Sequence, residues 1–486
     1  MQKSSRGVTT LIVVAFMGIF LIVMGTITSY VFEQAKYGRA LHAREQAIAI
    51  AESGLEYYKW FLAHNPAILV SGSGLISPYT HSVSDPEGGA VGSAEITATS
   101  ALQCNRVQWI DLESKGTAAI DTRFPRTILA RYMRPSVAEY AFLLNSNVWF
   151  TSSNLSNGPY FSNGGIRQDG LNNSTVSSAV STWNCTTSYN CNPAQPSAPG
   201  VVGSGPGFAL WQYPVASIDF AGVASNFGTL QTLANTSGIY LSGTATYVAG
   251  AQQGSSYSSV AASDQRGYHL VFNSNGTVTI YRVTATNGST QGYRTETGQW
   301  HLEYDVITGE TLLGTFTPPS GCSVIYVNAK AWIEGTVSGK VTVVAADTGN
   351  YAPDVLPVNN IGYTTTDGST GLTVIAEHSI RFPINVPNTM TLRGIFVAQS
   401  GYYGRDYYYA GYTGGYDSYI LRSSLTVAGS IASNVRAGTV WFDSYGNVTN
   451  GFQTRTNTYD QILAFSPPPF TPSTSVDYGL VLWREQ

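Results

Sequence analysis

Four carboxylates, Asp347, Asp354, Asp367 and Glu377, fall among β-branched runs in the last third of this 486-residue chain. Two of them on one face could hydrolyse or eliminate across a glycosidic bond, and several together could bind calcium through oxygen ligands. Neither their spacing nor their flanks fits a motif specific for either chemistry. No HExxH, GxxxxGK[ST] or GxSxG pattern and no Cys/His metal spacing occurs in the chain. The six histidines, His42, His64, His81, His269, His301 and His378, are scattered. The expectation is therefore a non-enzyme with no catalytic residue, no metal and no cofactor. A β-helical carbohydrate-active enzyme is the alternative that the carboxylates keep open.

Two other groups carry chemistry of a different kind. Cys104, Cys185, Cys191 and Cys322 allow three pairings. Cys185 and Cys191 share the polar loop WNCTTSYNCNPAQPSAPG and could close a small disulfide ring in an exported chain. Further on, the stretch GYYGRDYYYAGYTGGYDSYI holds eight tyrosines: Tyr402, Tyr403, Tyr407, Tyr408, Tyr409, Tyr412, Tyr416 and Tyr419. Tyrosine offers a large contact area at low entropic cost plus a hydroxyl, so this loop is a candidate surface for a glycan or protein ligand. The alternative is that it folds down as a cap.

Whatever these groups do, the N-terminus decides where they do it. Val8 to Phe32 is 25 residues without a charge, preceded by Lys3 and Arg6. That length crosses a ~30 Å hydrocarbon core at about 1.5 Å per residue. A secretory signal peptide has a shorter apolar core and small residues at its exit. Here the pattern passes straight into AKYGRALHAREQAIAIAESGLEYYKWFLAHNP, where Leu41, Ile48, Ala51, Leu55, Tyr58 and Leu62 form a 3/4-spaced stripe that Asn65-Pro66 ends. One rod over residues 8–63, roughly 80 Å long, is expected.

A short basic leader ending in Arg6-Gly7, an uncharged helix from Val8 and the amphipathic AIAESGLEYYKW together resemble the N-terminus of type IV prepilins, most of all pilin-like proteins with a PilX-type N-terminal segment. The resemblance implies cleavage after Gly7 by a prepilin peptidase, methylation of the new N-terminus at Val8, and a helix held in the bilayer until it enters a filament. It also implies other pilins and the pilus assembly machinery as partners. Ile12 stands where major pilins carry a glutamate that pairs with a neighbouring subunit's amine. A carboxylate in lipid is costly unless paired, so its absence removes the usual register device for assembly and favours a minor or tip subunit over a shaft subunit.

The rest of the chain reads as mostly β. Charged residues are only 11% against a typical ~25%, while apolar residues reach 43%. The net charge is −4 overall and about −6 beyond residue 65, so no basic patch points to nucleic acid. Residues 1–7 are assigned as the leader and 8–65 as the membrane-spanning and amphipathic helix. Residues 66–135, with AEITATS, RVQWIDLES and RTILARYMR between turn residues, are assigned as a small β-unit. Residues 136–320 form a β-rich middle region with a Pro/Ser/Gly loop, including a hairpin turning at Asn275-Gly276. Residues 321–450, with KVTVVAAD, GLTVIAEHSI, TLRGIFVAQSG and LTVAGSIAS, look solenoid-like, and 451–486 form a Pro-containing tail ending in the strand GLVLW.

The Ala-containing strands lie 30, 22 and 34 residues apart at Ala346, Ala376, Ala398 and Ala432. That irregular spacing fits coils with lateral loops, as in an irregular parallel β-helix, with a β-sandwich as the competing reading. The expected fold class is thus α+β, mostly β: a long helix and a β-rich head. The expected function is a pilin-like surface protein in or at the tip of a type IV pilus, its head serving assembly or adhesion outside a single-pass membrane anchor. A membrane-anchored envelope protein unrelated to pili is the alternative.

Overall fold

The computed structural model describes residues 6–220, 226–243, 246–249, 252–256, 267–347, 352–443 and 445–486. The chain divides into two compact units. One is Met1–Ala101 with Trp109–Tyr132 and Leu480–Gln486; the other is Leu102–Gln108 with Met133–Gly479.

The first unit is built on α1 (Arg6–His64), 59 residues without a break. It ends just before Asn65-Pro66, where the ring of Pro66 pushes the preceding residue out of the helical region. Its N-terminal part is long and apolar enough to cross a membrane, with a mean hydropathy of 2.6 over an 18-residue window and none of that window buried. Burial begins at Ala43 and follows Ala47, Ile50, Ala51, Leu55, Tyr58 and Leu62. Two members of the expected stripe lie off this face: Leu41 is exposed and Ile48 only half-buried.

Close approach is the reason. The antiparallel strands β1 (Tyr79–Ser84), β2 (Ala90–Gln103), β3 (Arg106–Ala118) and β4 (Arg126–Met133), with the C-terminal strand Gly479–Glu485 beside β4, form one five-stranded sheet. A Cβ on Gly116 would lie 2.0 Å from the Ala47 carbonyl oxygen, and one on Gly54 would lie 2.6 Å from the Ala94 Cβ. Backbones this close admit only Ala and Gly at the contact. Ile110, Leu112, Ile128 and Ala130 alternate onto the same buried face, as a period of two requires.

The second unit is dominated by parallel pairing. Among the described residues one ladder runs through Ile239–Leu241, Val324–Val327, Lys340–Ala345, Gly371–Ala376, Thr389–Ala398 and Leu421–Ser433, each strand parallel to the next. It then continues through Phe142–Leu144, Tyr160–Ser162, Val176–Ser178 and Trp211–Gln212. The last coil in sequence is thereby stacked on the first. A second ladder joins Gly267–Phe272, Lys330–Val337 and Val355–Tyr363, and a third joins Leu421–Ser433, Val448–Thr458, Asn154–Asn157 and Leu171–Asn172. Stacked coils account for this pairing; two facing antiparallel sheets do not.

Both faces of the main ladder are buried, which explains its unbroken apolar runs. Val343, Ala345, Val374 and Ala376 point into one core, while Val344, Ile375, Val397 and Ala432 point into another that includes Leu230 and Ala234 of the helix Phe227–Ser237. Gly394 and Gly429 pair across the ladder with φ of 153° and 140°. At these bends each long strand passes from one ladder to the next, and only glycine takes that conformation without strain. The α+β, mostly β class holds. Strands from 136–320, from 321–450 and from the start of the tail all enter the same ladders and the same unit.

Candidate functional site

Gly7 lies in the first turn of α1, and Val8 follows it with its side chain exposed, as are Ile12 and the other apolar residues to Phe32. Cys185 is bonded to Cys191 and Cys104 to Cys322. The 185–191 ring closes on the aromatic side chains of Trp183 and Tyr189, whose rings meet edge to face at 5.2 Å.

The eight tyrosines divide by environment. Tyr402, Tyr403 and Tyr408 are buried, Tyr407, Tyr416 and Tyr419 are half-buried, and Tyr409 and Tyr412 are exposed with their rings 6.0 Å apart. As a continuous binding surface the stretch is therefore corrected: three of its rings are core. Tyr407–Thr413 is a strand that pairs with Thr290–Arg294, which pairs in turn with Gln299–Glu303. Outside the stretch, Tyr293, Trp300 and Trp441 join Tyr407 in one aromatic group, with Tyr407 5.6 Å from Trp441 and Tyr293 5.7 Å from Trp300. Sequence reasoning missed this group because its members come from three distant segments.

The buried tyrosines end on charge. Tyr408 donates to Glu303 at 2.9 Å, and Tyr402 donates to Asp406. Around them Arg381, 1% exposed, donates to Asp354 at 2.9 Å, to Asp305 at 3.2 Å and to Asp406 at 3.2 Å. Lys330 reaches Asp305 at 2.7 Å and Arg294 reaches Asp406 at 3.3 Å. Burial raises the Glu303 carboxyl well above the carboxylate range, and the neighbouring Asp406 and Asp305 add to the rise. Arg381, Lys330 and Arg294 are the cations placed against Asp305, Asp354 and Asp406. Burial also works against the Asp305 charge, but Arg381 and Lys330 outweigh it and hold its pKa down to about 2.

Two histidines extend such bonding. His378 lies between Asp354 at 2.8 Å and Glu296 at 3.1 Å; burial disfavours its charge, yet these carboxylates raise its pKa to about 9. His269 lies between Glu310 at 2.9 Å and Glu334 at 3.0 Å. Of the four carboxylates expected to converge, only Asp354 joins the network. Glu377 accepts from the backbone of Asp347 at 2.7 Å, and Asp367 closes an exposed turn by accepting from Ser369. The core of the network is buried and held by ion pairs, with Glu303 Oε1 and Asp305 Oδ2 the atoms that lack a hydrogen bond among the described residues, and its chemistry is that of a structural clamp between the solenoid-like coils and the Tyr-rich strand.

No family model and no curated protein matches the chain. Among solved structures, it is similar to the competence-associated pilin ComZ from Thermus thermophilus, at 13% identity and a TM-score of 0.32 over 91% of this chain and 97% of that one.

Proposed function

We propose that this chain is a pilin-like surface subunit, non-catalytic, held in a membrane by the first half of α1 and carried into or onto the tip of a type IV pilus or related filament. The observation that supports this reading is α1 itself. One continuous helix has an uncharged, uncovered apolar half from Val8 to Phe32 and a second half seated on a sheet through Ala47, Ala51 and Gly54. A free-standing anchor needs only the first half. A helix that leaves the bilayer to pack among its neighbours in a filament core needs the rigid continuation as well.

In this reading a prepilin peptidase cuts after Gly7, and Val8 becomes the methylated N-terminus. Other pilins then replace lipid around residues 8–32. Ile12 offers no carboxylate to pair with a neighbour's amine, which supports a minor or tip position. The two disulfides support an extracytoplasmic place for the remainder of the chain, because such bonds persist in oxidising compartments.

Mass spectrometry of the mature protein tests the reading. Methylated Val8 at the N-terminus and release of the protein with sheared surface filaments are expected. An N-terminus still carrying residues 1–7, in a protein that stays with the membrane after shearing, sinks it in favour of a simple membrane-tethered envelope protein.

A further inference from the structure

Where Leu421–Ser433 stacks on Phe142–Leu144, the second unit opens into a cavity of about 620 Å³, within the size range of small-molecule sites. Its floor is apolar and nine-tenths buried or more, built from Phe142, Phe150, Tyr160, Tyr403 and Leu425. The Tyr403 hydroxyl is buried there without a partner. Part of the rim is aromatic: Trp149 lies 5.2 Å from Phe442, and Trp441 6.0 Å from Tyr293. Another part is the loop Thr187–Asn192, tied down by the Cys185–Cys191 bond.

Two arginines line this space, and among the described residues neither has a carboxylate partner. Arg455, 5% exposed, donates to Asn154 at 2.6 Å, to Thr151 at 2.7 Å and to Ser153 at 2.5 Å, all neutral acceptors. Arg436 donates to the Ser188 carbonyl at 2.9 Å and lies 4.4 Å over the Tyr189 ring. The acid in the lining, Asp443, is spent on its own turn, where it accepts from the backbone of Tyr445 at 2.9 Å and of Asn447 at 2.8 Å. A buried cation without a counter-charge is costly, and an entering anion relieves that cost. The planar fork of a guanidinium fits a carboxylate in particular.

We propose that this cavity binds a small amphiphilic carboxylate, its flat apolar body on the Phe142–Phe150–Leu425 floor and its carboxylate held by Arg436, with Arg455 adding a second uncompensated positive charge to the lining. An acidic sugar fits less well, because hydroxyls on that floor would lose water without gaining partners. The aromatic rim closes over the body of the ligand, and the disulfide keeps the 187–192 wall in place before binding. This site is independent of the filament reading, since every residue in it belongs to the second unit.

The test is titration of the full-length chain in lipid nanodiscs, with empty nanodiscs subtracted, against 1-naphthylacetate, its neutral analogue 1-naphthylacetamide and methyl glucuronoside. Saturable binding of naphthylacetate is expected, with the amide weaker by about tenfold or more, equivalent to ~1.4 kcal/mol, and the glucuronoside weaker than either. Arg436→Gln, on the half-buried rim, should erase the preference for acid over amide while the amide still binds. Arg455→Gln should narrow that preference if it folds, and Arg436→Gln decides if it does not. Equal affinity for acid and amide, a preference for the glucuronoside, no saturable binding, or an unchanged preference in Arg436→Gln overturns the proposal.

Discussion

The Asn145 side chain donates to Asn434 at 2.7 Å across 289 residues of sequence, and Asn163 donates to Asn145 at the same distance one coil further on. These three asparagines form a ladder across the seam where the end of the coil stack meets its beginning. Apolar pairing lies directly beside it: Ile431 faces Phe142 and is 2% exposed. Ile431→Ala should cost about 2–5 kcal/mol, the usual range for a buried isoleucine truncated in a core. Because the seam joins both arms of the stack, urea unfolding should remain a single transition at lower midpoint. A separate early transition confined to residues 421–458 would contradict that coupling.

Docking of α1 depends on missing side chains. Valine at position 116 would drive its Cβ into the Ala47 carbonyl and the Ala51 amide. Gly116→Val should therefore destabilise the first unit by about 1–3 kcal/mol or more, seen as faster protease cleavage between residues 43 and 62. Gly38→Ala is the control, since nothing lies within 4 Å of that position. It should leave cleavage unchanged or slow it, as alanine favours helix by about 0.5–1 kcal/mol.

Arg381 neutralises several buried aspartates at once. Arg381→Met leaves Asp305, Asp354 and Asp406 short of a partner and should cost about 3–5 kcal/mol. Thermal unfolding at neutral pH measures the loss. A change within error would mean that the network's charges are not held as described.

His378 sets a pH dependence whose sign is given by its folded pKa of about 9, above the ordinary histidine value of 6.5. The protonated ring is the one bonded to both Asp354 and Glu296, so its contribution is complete below about pH 6.5. It is lost as pH rises through 9. Midpoints of unfolding should fall between about pH 6.5 and 9.5, and His378→Gln should flatten part of that slope. His269, also raised by its two glutamates against the effect of burial, contributes with the same sign and accounts for slope that remains.

The two disulfides should differ in worth. Cys104–Cys322 spans 218 residues and Cys185–Cys191 spans 6. Chain-entropy scaling gives about 5 kcal/mol for the first and about 2 kcal/mol for the second. Paired Cys→Ser variants, compared by unfolding free energy under oxidising conditions, should keep that order.

Legibility differed from element to element. The helix could be read end to end because its signals are local: an unbroken uncharged run, an amphipathic stripe after it and a proline stop. Its exact buried face could not, since Ala43 and Ala47 displace Leu41 and Ile48 only where a sheet containing Gly116 comes close. The apolar strands of 321–450 were visible as short β-branched runs. Their partners were hidden because a parallel neighbour lies a whole coil away, and for Ile431 that neighbour is Phe142.

By itself, then, the sequence determined the long membrane-compatible helix, the mostly β character of the chain beyond it and the absence of local catalytic motifs, all of which depend on composition and short-range periodicity. The tertiary structure alone decided which tyrosines are core, that Asp354 joins Asp305, Asp406 and Arg381 while Asp347 and Asp367 do not, and that Arg436 and Arg455 share a cavity. Those are long-range juxtapositions, set by which coil stacks on which, and no spacing within a single stretch of chain encodes them.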